Sequence, residues 1–125
     1  MSTLATASYL SFATFRKTGA EVRTPVWFAQ QGDRVYLFSN SDAGKVKRLR
    51  NSARARVAPC DVRGKVLGAW LDAEARLLVD SEDNSRAHRA LLDKYGWQMA
   101  TLDFFANLFG RARQRVFIVV QLTSA

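Results

Sequence analysis

The chain reads as a small α+β protein, mainly β: an antiparallel barrel of five or six strands with one short helix and two longer ones. Three observations predict this. Residues 9–39 hold aromatic and β-branched runs broken by glycine-containing turns. Residues 81–110 carry apolar side chains at helical rather than alternating spacing. The last run, "VFIVV" at 116–120, is apolar without interruption, as a central strand buried on both faces requires. With 125 residues, 48% of them hydrophobic, the chain fits one domain over 1–125 and can build a core without cross-links.

Each element has its own signal. "YLSFATFRK" (9–17) is aromatic and roughly alternating, and "GAE" turns it. "VRTPVWFAQQ" (22–31) is a second strand-like run, "GDR" a tight connection and "VYLFS" (35–39) a third strand, so the first half predicts an antiparallel meander. Pro25 has no N–H to give a ladder, which marks an edge, a bulge or an irregular stretch. Ser41 or Asp42 can cap a short helix over roughly Ala43 to Asn51, with Val46 and Leu49 on its inner side and basic residues on the rest. "ARVAPC" (55–60) is a fourth strand, ended by Pro59 or just after. "GKVLGAWLDAEARLLVD" (64–80) is a long strand or a bent pair, with the bend at Gly68 or the Leu71–Asp72 step.

Ser81, followed by acids, signals a capped helix that stops on Gly96, with Ala87, Ala90, Leu91 and Tyr95 as its apolar stripe. "WQMATLDFFANLFG" is a second helix, with Met99, Leu102, Phe105, Leu108 and Phe109 at helical spacing and a stop at Gly110. Phe104, Phe105 and Phe109 make it too aromatic for a solvated element, so it should pack on the barrel or on a second copy of the chain. "RVFIVVQLT" (115–123) closes the fold as a strand.

Lys and Arg number 19 against 11 Asp and Glu, a formal net charge of +8. Such a field attracts phosphorylated cofactors, nucleic acid and acidic lipid alike. Cys60 is the only cysteine and His88 the only histidine, which excludes an intrachain disulfide and a Cys/His metal cluster. The N-terminus lacks the basic region of a secretory signal and no apolar run is long enough to span a bilayer, so a cytoplasmic location with no membrane partner is expected.

The stretch "SNSDAGKVKRLRNSAR" (39–54) carries the chemistry of most interest. A helix N-terminus offers unpaired N–H groups. Ser39, Ser41 and the backbone near Gly44 can donate to an anion, and Lys45 with Lys47 or Arg48 can close over a phosphate. The spacing is not that of a P-loop, and on motif grounds alone a charged, solvated helix face accounts for it better. The wider belt of Lys45, Lys47, Arg48, Arg50, Arg54, Arg56, Arg63 and Lys65 suits single-stranded nucleic acid in charge, but Arg54 and Arg56 share a strand face away from the helix residues and no RNA-binding motif is readable. Cys60, between Pro59 and Asp61, could be a reactive thiolate; with no histidine near, a small residue ending a strand beside a ligand pocket is the better account. Trp27, two residues from Pro25, is the tryptophan best placed to touch a ring-shaped ligand, ahead of Trp70 and Trp97. His88 reads as a surface residue, and no carboxylate pair stands out for acid–base work.

Taken in order, "FATFRKTGAEVRTPVWFA" (12–29), "GDRVYLFSNSDAGKVKRLRNSARARVAPCDVRG" (32–64), "AEARLL" (73–78) and "KYGW" (94–97) resemble the flavin- and deazaflavin-binding split β-barrel proteins. These form the pyridoxamine 5′-phosphate oxidase-like superfamily, and the chain looks closest to its F-420-dependent oxidoreductases. "TPVWF" and "GKVKRLR…RVAPCD" are the most specific segments. The resemblance implies a six-stranded antiparallel split β-barrel (the FMN-binding split barrel) with flanking helices, paired as a homodimer with a cofactor site at each dimer groove.

It also implies that a tricyclic ring lies along Thr24 to Phe28, lined by Pro25, Val26 and Trp27. Ser39, Lys45, Lys47 and Arg48 would hold the cofactor's phosphate. Pro59, Cys60 and Asp61 would sit near the ring edge, and Trp97 could come from the second subunit. The implied cofactor is F-420, with FMN as the alternative; the longer anionic tail of F-420 suits the positive field better. The implied activity is hydride transfer between that ring and a small unsaturated or carbonyl-bearing substrate, with no catalytic side chain assigned. The ending "RVFIVVQLTSA" departs from the Arg-Leu-Ala-Pro type of true pyridoxamine phosphate oxidases and argues against that substrate. A non-catalytic flavin-binding protein and, less favoured, a basic nucleic-acid-binding barrel are the rival classes.

Overall fold

The computed structural model describes Leu4 and residues 7–41, 43–108 and 115–123. Seven strands and three helices follow one another: β1 (Tyr9–Phe15), β2 (Glu21–Val26), β3 (Ala29–Gln31), β4 (Arg34–Asn40), α1 (Gly44–Asn51), β5 (Arg54–Cys60), β6 (Leu71–Leu77), α2 (Ser81–Tyr95), α3 (Trp97–Leu108) and β7 (Arg115–Leu122). The strands form a single sheet in the order β2-β1-β5-β6-β7-β4-β3, and every neighbouring pair is antiparallel. Among the described residues no helix is long and apolar enough to cross a membrane.

That order dictates the shape. β2 and β3 are the two outermost strands, yet only Trp27 and Phe28 separate them in the chain. Laid flat, seven strands would hold their edges about 29 Å apart. Three peptide units, from Val26 to Ala29, span at most about 11 Å. The sheet must therefore roll until its edges meet, and the result is the mainly β barrel that the sequence predicts. The expected meander is replaced by two hairpins, β1–β2 and β3–β4, at opposite ends of the strand order. The second predicted strand is thus two strands broken at Trp27–Phe28. The break has a physical cause, since Phe28 sits in the barrel interior while Trp27 packs against the helical layer outside it.

Alternation places the core. Leu10 and Phe12, Val35 and Leu37, Val57, and Ile118 and Val120 point into the barrel from successive strands. β7 lies between β6 and β4 with Val119 buried on its other face, the two-sided burial that its apolar run predicts. α2 lies outside β3, β4 and β7 and buries Ala87, Ala90, Leu91 and Tyr95 against Ala29, Tyr36 and Val119. α1 rests on β1 and β6, and its Leu49 joins the barrel core.

Several local expectations change. Ala43 is the N-cap of α1 and no side chain caps it, so Ser41 does not play that part; Asp42 lies outside the described residues. The N-cap of α2 is Asp80, also without a side-chain bond, and Ser81 is already helical; Glu82 and Asp83 instead complement the helix dipole. Only Leu71–Leu77 of the run 64–80 is a strand. The segment before it is a loop tied back by a single bridge between Cys60 and Val66. Trp70 is gripped on the sheet's outer face by Arg23 and Arg56, 4.7 and 4.9 Å from its ring centre, and Glu21 pairs with both arginines. Of the α3 stripe only Met99 is buried, packed with Tyr36 and Val119 on the outer face of the sheet, whereas Phe104, Phe105 and Leu108 stay exposed. Phe109 and Gly110 lie outside the described residues.

One side chain bridges the seam where the chain crosses from β2 to β3. The Tyr95 hydroxyl accepts the Phe28 N–H at 2.9 Å and has a choice of two carbonyls, Ser8 at 2.9 Å and Phe28 at 3.0 Å, for its single proton. Burial pushes its pKa up to about 12, so it stays protonated. Tyr95→Phe should leave the fold and the Trp27 stack in place but strand a buried N–H. A loss of about 1–3 kcal/mol is expected, read as a lower urea midpoint at unchanged m-value.

Candidate functional site

Strand pairing gathers the ring-edge candidates. Leu10 of β1 faces Val26 of β2 on one side and Pro59 of β5 on the other. Pro25–Val26 and Pro59–Cys60–Asp61 therefore share one end of the sheet, two strand spacings or about 10 Å apart. The loop after β5 leans over this end. The Leu67 N–H donates to the Pro59 carbonyl at 2.8 Å, and a Cβ added to Gly64, whose φ is +93°, would lie 3.9 Å from the Pro25 ring.

The pleat then divides these residues. Thr24 and Val26 lie opposite Phe12 and Leu10 and face the barrel, whereas Pro25 lies opposite Ser11 and faces out. Val26 gives its side chain to the core, and Pro25 is exposed. Trp27 is half-buried and stacks on Tyr95, with centroids 4.5 Å apart and planes at 11°. The Thr24 hydroxyl is buried with no hydrogen-bond partner, an arrangement that a structure keeps at a cost. β2 is also an edge strand, so half of its N–H and C=O groups have no neighbouring strand.

Cys60 and Asp61 are more constrained than their sequence context implies. Burial, reinforced by the neighbouring Asp61 charge, pushes the Cys60 thiol up, so it is not a ready thiolate. Asp61 Oδ1 accepts the N–H groups of Arg63 and Lys65 at 2.9 Å each and holds the loop's turn.

The cationic candidates separate into two groups. Lys45 and Arg48 are three residues apart on α1 and share a flank, both half-buried. Arg48 Nε donates to Thr14 Oγ1 at 2.6 Å, which fixes the guanidinium against the end of β1. Burial, and then the Arg48 charge, lower the pKa of Lys45; burial, and then Arg16, lower that of Arg48. Among the described residues neither Lys45 nor Arg48 has a carboxylate within ion-pair distance. The helix twist sends Lys47 to a different, exposed flank. Ser39 points inward with Val35 and Leu37 and is buried. The structure thus brings Lys45 and Arg48 together and leaves Ser39 and Lys47 apart from them.

The two regions lie along one hairpin. Thr14 faces Val22 and Leu10 faces Val26, four residues or about 14 Å further along the same pair of strands. Trp97 opens α3 two residues beyond Tyr95 and is 75% exposed.

Residues not singled out from the sequence complete this picture. Thr14 and Arg16 support the cationic corner, and Tyr95 and Lys94 stand behind Trp27 and Phe28. Their only signal is position in "FATFR" and "KYGW", because the contacts run across the fold. His88 is not a free surface residue: Nε2 lies 2.6 Å from Asp103 Oδ2, whose other oxygen accepts from Arg115 at 2.6 Å. The basic belt is interrupted as well. Arg56 pairs with Glu21 and Asp72, and Arg54 lies over Phe15 opposite Glu74.

No family model matches the chain, and neither does any curated protein. Solved structures do. The haem storage protein HutZ of Vibrio cholerae superposes with a TM-score of 0.72 at 13% identity, covering 96% of this chain and 84% of its own. A Listeria innocua protein that carries the name pyridoxamine 5′-phosphate oxidase gives 0.65 at 11%, covering 97% and 88%. An F420 reductase gives 0.60 at 18%, covering 97% and 90%. The class is therefore defined by fold: the chain has the split β-barrel of pyridoxamine 5′-phosphate oxidase-like proteins. Structures with that fold include ones named as a pyridoxamine 5′-phosphate oxidase, an FAD-binding protein and an F420 reductase, and ones named for haem storage or binding.

Lys94 provides a test of the seam. Its Nζ is buried without an acceptor, 3.4 Å from the Phe28 ring centre, and burial pulls its pKa down to about 8. The unfolded chain, with the amine near 10.5, binds more protons between these values, so this group makes stability rise with pH from about 8 to 10.5. Lys94→Met should be more stable than the parent at pH 7, by about 1–2 kcal/mol, and its advantage should shrink by pH 9.5 in urea melts.

Proposed function

We propose that the protein is a cofactor-dependent oxidoreductase that holds F-420, or FMN as the alternative, with its ring along the free edge of β2 and its phosphate at Lys45 and Arg48. The observation that carries this reading is the half-buried pair Lys45–Arg48. Two half-buried cations stand beside Arg16, with no carboxylate of the described residues within ion-pair distance, about 14 Å along the hairpin from Val26. Desolvated like charges in that position are stabilised by an anion. The open β2 edge fits a ring that brings its own donors and acceptors, so the residues present suit the group.

When bound, the cofactor supplies hydride chemistry. The chain supplies the rest. Arg48, braced by Thr14, and Lys45 hold the anionic tail; Pro25 and the loop at Gly64 bound the ring end; Trp27, backed by Tyr95, gives a flat apolar wall. Ser39 and Lys47 take a smaller part in this reading, because one faces inward and the other leaves from another flank. A small unsaturated or carbonyl-bearing substrate would lie on the open ring face. The interrupted belt works against nucleic acid as the partner.

A homodimer belongs to the same proposal. Trp97, Phe104 and Leu108 form an exposed apolar stripe on α3, 62–75% accessible, and Asp103, the one charge on this helix, is already paired with His88 and Arg115. A chain of charge +8 can approach a copy of itself most easily through such an uncharged face. Phe104→Glu with Leu108→Glu should leave the fold intact and lower the sedimentation coefficient to that of a monomer.

Absorbance titration tests the cofactor. The parent protein should bind F-420 or FMN at micromolar concentration, and Lys45→Ala with Arg48→Ala should weaken that binding by about 2–4 kcal/mol. Lys47→Ala should change it by less than about 0.5 kcal/mol. Equal losses at Lys47 and Lys45 would make the helix a diffuse cationic face. Binding of haem alone, with neither flavin nor deazaflavin bound, would overturn the oxidoreductase reading. Turnover of a reduced cofactor with a panel of electrophiles separates an enzyme from a carrier.

A further inference from the structure

Lys94 leaves the last turn of α2 and turns toward the seam. Its ammonium is sealed from solvent and makes no hydrogen bond. It lies 3.4 Å from the centre of the Phe28 ring and 5.4 Å from that of Tyr95. Because Tyr95 stacks on Trp27 at 4.5 Å, Lys94 Nζ is no more than about 10 Å from the Trp27 ring. Asp93 beside it on α2 is exposed and forms no ion pair with it. Lys94 also lines a cavity of about 300 Å³ with Ala29, Gln30, Gln31, Ala90 and Asp93, yet its ammonium is not exposed there.

Two aromatic faces are thus the cation-binding groups that the ammonium lies against. A methionine or leucine stem would fill the same space without desolvating a charge. A charge held without a counter-ion in a dry seam projects a field well beyond contact range, because little around it responds.

We propose that Lys94 is a positioning residue of electrostatic kind, biasing the site along β2 toward the reduced, more negatively charged state of the tricyclic cofactor. This rests on the cofactor reading above. A ring that takes up hydride gains two electrons and one proton, and so one negative charge. Lys94, an unpartnered cation behind Trp27, then acts more strongly on that state than on the oxidised one. Lys94 touches neither cofactor nor substrate and works through the Phe28–Tyr95–Trp27 stack.

The experiment compares dissociation constants of oxidised and reduced F-420 and FMN for the parent, Lys94→Met and Lys94→Arg proteins, by anaerobic absorbance and fluorescence titration. Lys94→Met should cut the preference for the reduced form about tenfold, the size of a unit-charge interaction over roughly 12 Å at a protein-like effective dielectric. It should leave oxidised affinity within about threefold, and Lys94→Arg should restore the preference. An unchanged ratio in a Lys94→Met protein that binds both forms overturns the role of Lys94 and leaves the cofactor reading standing. Failure of the parent to bind either cofactor overturns both. Equal weakening of oxidised and reduced forms assigns Lys94 to packing alone and likewise overturns the proposal.

Discussion

The structure depends on one geometric constraint: the two outermost strands of a seven-stranded sheet are joined by two residues. Rolling satisfies the chain's reach, but it leaves a seam where the β2 and β3 edges meet without being paired as neighbours in the sheet. Backbone groups there need other partners. Tyr95 meets part of that need with one oxygen, which serves the N–H of Phe28 and either of two carbonyls. It can reach because α2 is anchored by Ala87, Ala90 and Leu91 on the outer face of the sheet, and because Gly96, at a φ of +57°, lets the helix end one residue later. The helical layer therefore does more than cover the barrel, since its last turn closes it.

A seam closed by a side chain instead of a ladder leaves strand edge available. An exposed edge is a hazard in most proteins, because it recruits other strands. Here the hazard is limited by Pro25, which has no N–H to offer, and by the loop that Gly64 brings against it. The same features leave a short unpaired strand edge next to the Trp27–Tyr95 stack. At the far end of the hairpin stand Arg16, Lys45 and Arg48, and among the described residues no carboxylate pairs with Lys45 or Arg48. One end of the hairpin thus has unpaired backbone beside an aromatic face, and the other has clustered, half-buried cations.

Much of this was legible in the sequence, and the rest was hidden for definite reasons. Period-2 runs and helical stripes located nearly every element, since burial on one face is a local pattern. The break at Trp27–Phe28 was hidden because an apolar run looks the same whether its residues share one strand or cross between two. The α1 site was half legible. Charge could be counted along "GKVKRLR", but only the helix twist shows that Lys45 and Arg48 share a flank while Lys47 does not. Thr14 and Tyr95 were out of reach because their partners are 34 and 67 residues away. The basic belt misled in the opposite direction. Residues 45–65 contain few acids, but Glu21 and Asp72 come from neighbouring strands to pair with Arg56.

The unsatisfied groups finally separate structure from function within this small domain. Of the described side-chain atoms that are buried without a partner, Thr24 Oγ1 lies on β2, Gln30 Oε1 on β3, and Lys94 Nζ on the helix turn over the seam. Asn84 Oδ1, in the first turn of α2, is the exception. A fold selected only for stability would fill such positions with apolar atoms, as the barrel interior does with Leu10, Phe12, Val57 and Ile118. Three unmet polar atoms, on the two outermost strands and the helix turn beside them, are harder to ascribe to loose packing, because Phe28, Ala29 and Tyr95 are themselves buried. The buried Tyr95 hydroxyl, which serves the Phe28 N–H and one of two carbonyls, is the polar contact that holds this part of the seam together.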